Sequence, residues 1–109
     1  MITPLLVALG GAMGAALRFT LGKLLDGTFH VGTLTANTLA CLVIGLAGGA
    51  ALSGAAWALV ATGFCGGLST YSSFAVQARD RGARIGSAYV VLTLALGLGA
   101  AALGFRVAA

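Results

Sequence analysis

The stretch Gly63–Phe74, GFCGGLSTYSSF, sets two adjacent glycines and then five consecutive hydroxyl-bearing residues, Ser69 to Ser73, inside a long apolar run. Paired glycines lower helix stability and tolerate backbone geometries closed to other residues. Unwound backbone persists in lipid only where it lines a cavity or binds something. The stretch therefore predicts a helix broken near Gly66-Gly67, whose freed carbonyls suit a cation such as sodium and whose following hydroxyls help to satisfy the break.

That reading requires a membrane, and the composition supplies one. The chain has 109 residues, 60% hydrophobic and 7% charged, with a mean hydropathy of +1.08. A soluble domain of this length has too little interior to hide so much apolar surface. Glycine is high at 18 residues and proline occurs once, which suits closely packed transmembrane helices. Ile2 to Ala16 is apolar but lacks a basic region before it, and Arg18 follows it, so a cleaved signal peptide is not expected. The net charge of +4 comes from basic residues at the ends of apolar runs, where topology control explains them better than nucleic acid does. Cys41 and Cys65 lie within apolar runs, without CxxC spacing and with His30 as the only histidine, so a redox or transition-metal site is not expected.

An apolar helix needs about 20 residues to cross the hydrocarbon core, and the chain divides into four such pieces, residues 2–25, 31–52, 55–78 and 85–105. The expected architecture is all-α, one four-helix transmembrane domain over residues 1–109, with consecutive spans antiparallel because the connections are short. The clearest aqueous loop is residues 79–84. Glycines spaced by four, at Gly10/Gly14, Gly45/Gly49 and Gly63/Gly67, predict close backbone approach at helix crossings. Lys23, Arg79, Arg81 and Arg84 fall on the side of the first and third connections. Arg106 and the amino terminus fall on the other, so the positive-inside rule favours both termini outside.

The chemistry left inside the spans is neutral. The only acids are Asp26 and Asp80, both in connections. A proton-coupled transporter has no buried carboxylate to use, and no nucleophile, base and orienter set suggests an enzyme. Hydrogen-bond capacity is plentiful, in Thr33, Thr35, Asn37 and Thr38, in Ser69 to Ser73, and in Ser87, Tyr89 and Thr93. Hydroxyls and amides donate to an anion without a charge that would trap it. Tyr71 and Phe74, three apart, share a helical face, and aromatic ring edges are positive. Single hydroxyls in membrane helices commonly bond their own backbone, and aromatic pairs commonly just pack.

Three motifs in this order resemble the Fluc/CrcB fluoride channel family. GGAMGAALRF at Gly10–Phe19 is similar to the family's first-helix signature, GTLTAN at Gly32–Asn37 to its GTLxVN, and GGLSTYSSF at Gly66–Phe74 to its GGxTTFSTF. The resemblance implies a small four-span protein working as an antiparallel, dual-topology dimer. It implies that Asn37 lines the pore and that Phe74 is the second of two aromatic residues whose ring edges contact fluoride, with Tyr71 at the first. Gly66 and Ser69 match positions whose backbone carbonyls, from both subunits, hold a structural sodium ion. Thr70 and Ser72 match hydroxyl positions of the same motif. Tyr89 and Thr93 fit the start of a polar track on the last helix, and Arg18 matches an arginine of the vestibule or of a structural contact. Three departures stand out: Tyr71 where the family has phenylalanine, Gln77 where an acidic residue often follows, and Gly97 where a third hydroxyl is expected.

The expected function is a passive, fluoride-selective channel in the cell inner membrane, exporting cytoplasmic fluoride and reducing its toxicity. A homodimer is favoured, although the charge bias between loops leaves room for an oppositely oriented paralogue. Two alternatives remain open at this point, a small dual-topology multidrug-type exporter and a non-conducting structural membrane protein.

Overall fold

In a computed structural model, residues 2–25, 31–69 and 71–109 are described, with the side chains of 71–74 outside the description. The large apolar side chains point outward. Leu5, Phe19, Leu98 and Val107 are all about 70% exposed, whereas the core is small, built on Ala36, Ala40, Cys65 and Leu68. This inverts the arrangement of a soluble protein and is the arrangement lipid selects, because lipid tails solvate leucine as well as a core does and helix association is left to close packing of small residues. The long dimension of the chain is 44 Å, matching a bilayer of about 40–45 Å with its headgroups.

The described secondary structure is helical: α1 Ile2–Leu25, α2 Val31–Gly49, α3 Gly54–Leu68, α4 Tyr71–Asp80 and α5 Gly82–Ala108. Among the described residues, α1, α2 and α5 are long and apolar enough to cross a membrane. The expected third span, residues 55–78, is divided between α3 and α4, and the middle of α3, Ala58–Cys65, is wound as a π-helix. The break comes later than the glycine pair. Gly66 is helical, at φ −63° and ψ −38°, and the chain first turns extended at Ser69, at φ −80° and ψ 157°.

Gly67 serves packing instead, whereas Gly66 meets nothing within 4 Å. A Cβ on Gly67 would strike the carbonyl oxygen of Gly11, and one on Gly14 would strike that of Phe64. Gly10 is pressed in the same way against Leu59, and Gly63 against Val7. The expected spacing-of-four glycines thus form the parallel crossing of α1 with α3. Gly45 and Gly49 form a second crossing, against Ala101 and Phe105 of α5, while Gly104 answers from the other helix against Leu42. Successive contacts rise together in number along both helices, so α2 and α5 are also parallel. Consecutive long helices alternate in direction and the tightest packing joins alternate ones.

Two connections differ from expectation. The second span ends at Gly49, short of residue 52, and the chain turns through Ala51 at φ 59°. The expected aqueous loop over residues 79–84 is mostly helical: α4 runs to Asp80, α5 starts at Gly82, and Gly82 takes a φ of +83°. A left-handed glycine just past a helix end is the usual way to reverse the chain there, and it lets Gly86 close against the carbonyl of Ala78. The basic residues keep their places, since the parallel pairing sets Lys23, Arg79, Arg81 and Arg84 at one end of the bundle and Arg106 at the other.

Candidate functional site

The break at Ser69 ends the helical ladder, whose last bond before it runs from the Ser69 amide to the Cys65 carbonyl at 2.9 Å. Carbonyls in a helix's final turn lack partners within the helix. Arg18, reaching across from α1, donates from Nε to the carbonyl oxygen of Gly67 at 3.1 Å. A cation at a helix C-terminus meets both the unpaired oxygen and the negative end of the dipole. Arg18, expected in a vestibule or in a structural contact, therefore bridges α1 to the break.

On the other side of α3, Thr62, Gly66 and Ser69 follow one another at helical spacing along an open groove of about 330 Å³, whose far wall is Ala40, Cys41 and Ile44 of α2. Nothing lies within 4 Å of where a Gly66 Cβ would be. Gly66 and Ser69, the expected sodium residues, thus share an exposed face, whereas Gly67 faces α1. Among the described residues no group of three or more His, Cys, Asp or Glu could hold a metal.

A second polar group lies where α2, α4 and α5 meet. The buried Tyr89 hydroxyl donates to Gln77 Oε1 at 2.9 Å, and Gln77 Nε2 donates to Thr33 Oγ1 at 3.1 Å. Asn37 follows Thr33 by one turn on α2, and Thr93 follows Tyr89 by one turn on α5. The parallel register of these helices makes the two pairs a ladder. Asn37, Tyr89 and Thr93 are brought into one seam, and the Thr93 hydroxyl is buried with no hydrogen-bond partner among the described residues. Thr70 lies outside the described residues, as do the side chains of Tyr71, Ser72 and Phe74; the α4 backbone begins at Tyr71.

Gly97 now has a reason. It is buried against α2, and a Cβ there would come within 3.2 Å of Cys41 Sγ, so a hydroxyl side chain would have to push the Cys41 thiol aside. The hydroxyl series on α5 ends at Thr93, one turn before this tight contact. Gln77 and Thr33 are the residues whose importance the sequence understated. The signal at Gln77 was an amide at the end of the third expected span, and at Thr33 a hydroxyl within the second; in lipid both need partners.

The hydrogen-bonded chain carries a measurable load. Tyr89→Phe removes the donor to Gln77 and leaves a half-buried amide oxygen short of a partner, a loss of about 1 kcal/mol. Thermal unfolding in detergent should fall accordingly. Additive effects of Tyr89→Phe and Gln77→Leu would refute the link, since coupled residues show non-additivity.

The family model for CrcB-like proteins, described as camphor resistance (CrcB), matches residues 5–105. The chain is 50% identical to the fluoride-specific ion channel FluC 2 of Rhodococcus jostii, over 96% of this chain and 97% of that protein. It is 42% identical to the fluoride-specific ion channel FluC of Thermus thermophilus, over 94% and 91%, and 40% identical to that of Methylobacillus flagellatus, over 94% and 91%. With the three motifs, the broken third span and the match along nearly its whole length, the chain belongs to the CrcB family of multi-pass membrane proteins.

Proposed function

We propose that this chain is a fluoride-specific ion channel, conducting passively and exporting cytoplasmic fluoride. The observation that carries the reading is the seam of neutral donors between α2 and α5, in a chain whose relatives are fluoride-specific ion channels over the same length. Neutral donors replace part of an anion's hydration without binding it too tightly to leave. Asn37, Tyr89 and Thr93 form the described part of the path. The resemblance to the family's motif adds Thr70, Tyr71, Ser72 and Phe74 to the proposed path, where aromatic ring edges would suit an anion. The phenol of Tyr71 adds a donor that phenylalanine lacks.

The working unit is an antiparallel dimer, with the open face of α3 against its equivalent. The absence of any neighbour at Gly66 and the groove beside it support this, since close helix crossings use such positions. The carbonyls of Gly66 and Ser69 from both copies would hold sodium. The donor set fits: hard backbone oxygens at an interrupted helix suit a hard monovalent cation. The ion would pin the two breaks together. A homodimer is favoured over pairing with a paralogue, and loop charge decides orientation.

Purified protein in liposomes, followed with a fluoride electrode, is expected to release fluoride and retain chloride. Equal release of both, or of neither, would sink the reading. Phe74→Ile is expected to suppress fluoride release while the dimer persists. A non-conducting structural protein would instead show a packing defect alone.

A further inference from the structure

Among the described residues, the side-chain polar atoms that are buried without any hydrogen-bond partner are two, Thr93 Oγ1 on α5 and Thr38 Oγ1 on α2. A buried hydroxyl without a partner is costly, and an isolated one in a native protein asks for a missing ligand or water. These two belong to the same seam. Cys41 meets Gly97, Gly45 meets Ala101 and Gly49 meets Phe105, and carrying that register back one turn sets Thr93 level with Asn37, with Thr38 beside it. Toward Tyr89 the seam is bounded by the hydrogen bonds of Gln77 with Tyr89 and Thr33. Toward Gly97 it narrows against the Cys41 side chain, and one turn further on Gly45 packs on the Ala101 backbone. The unpartnered pair therefore occupies the short interval between a satisfied polar network and a dry helix crossing.

We infer that Thr38 is a further fluoride-binding residue, its hydroxyl converging with that of Thr93 on one dehydrated anion position between α2 and α5. The inference rests on the channel reading and deepens it. A threonine hydroxyl has one hydrogen to donate, so two of them give a small hard anion two donors without any fixed positive charge. The alternative partner for Thr38 Oγ1 is the carbonyl one turn earlier in its own helix, the common arrangement for threonine in membrane helices. No such bond accompanies Thr38, whereas Thr20 makes it, to the Ala16 carbonyl at 2.9 Å.

Thr38→Val keeps the shape and β-branching and removes the hydroxyl. In the liposome assay it is expected to slow fluoride release by about tenfold or more, the worth of one hydrogen bond to a charged group. Thr38→Ser, which restores the donor, is expected to recover most of the rate. Elution of both variants at the wild-type position in detergent keeps misfolding apart from lost conduction. Wild-type rates in Thr38→Val, beside an active wild type, would overturn this inference alone. Absence of release by the wild type itself would overturn the channel reading and this inference with it. A slow Thr38→Ser as well as a slow Thr38→Val would assign Thr38 to packing and overturn the donor role.

Discussion

Gly67→Val is expected to lower the yield of folded protein sharply, whereas Gly99→Val is expected to express and elute as wild type. A Cβ at Gly67 would collide with the carbonyl oxygen of Gly11 and lie 2.9 Å from the carbonyl carbon and Cα of the same residue. All three atoms are backbone, so relief requires α1 and α3 to separate along the whole seam that Gly10, Gly14 and Gly63 also build. Overpacking a core typically costs about 1–3 kcal/mol, occasionally more, and a total stability of roughly 5–15 kcal/mol leaves little reserve. At Gly99 nothing lies within 4 Å, and valine there adds only lipid-facing surface. The measurement is monodisperse yield in detergent, and equal yields would refute the crossing as the purpose of Gly67. Gly66→Val sharpens the comparison. Within one chain it meets nothing, so its expected defect is loss of the dimer with a folded protomer retained.

Arg18→Ala should loosen the break. The Arg18 bond to the Gly67 carbonyl joins helices far apart in sequence, and a hydrogen bond to a charged group is worth about 1.5–3 kcal/mol. Amide exchange around Ser69 and through α4 is expected to accelerate, while the α2 and α5 crossing stays protected, because local opening follows the local loss of contacts. Arg18→Lys is expected to recover part of the protection, since an ammonium is a point donor without the planar fork of guanidinium. If Arg18 worked only as a vestibule charge, Arg18→Ala would leave exchange unaltered and lower fluoride flux most at low salt, where exposed charges are least screened.

The glycines show how the sequence and the folded chain divide the work. Their spacing announced helix crossings at Gly10/Gly14, Gly45/Gly49 and Gly63/Gly67, and all three pairs are in crossings. The same residues, read as a local weakness, put the break near Gly66-Gly67, and it lies at Ser69. Propensity describes what a backbone tolerates. What Gly67 does was decided by Gly11, more than fifty residues away, whose carbonyl needs the space. In the same way, the run from Arg79 to Arg84 looked aqueous because it is charged, yet it folds into two helix ends around a left-handed Gly82, since a short connection between closely packed helices leaves no room for a loop.

The candidate site divides similarly. Asn37, Tyr89 and Thr93 were legible as polar residues in apolar helices, which lipid makes conspicuous. Gln77 stood out only as a departure, and Gly97 as a gap, until Thr33, Tyr89 and Cys41 were beside them. Membrane class, the existence of a break and the neutral character of the polar groups were determined by sequence alone, because each depends on composition or spacing within one segment. The position of the break, the anchoring of its carbonyl by Arg18, and the seam that gathers Thr33, Thr38, Tyr89 and Thr93 were decided by tertiary structure. Those features depend on the register between helices distant in sequence, which is set by which glycine finds which backbone.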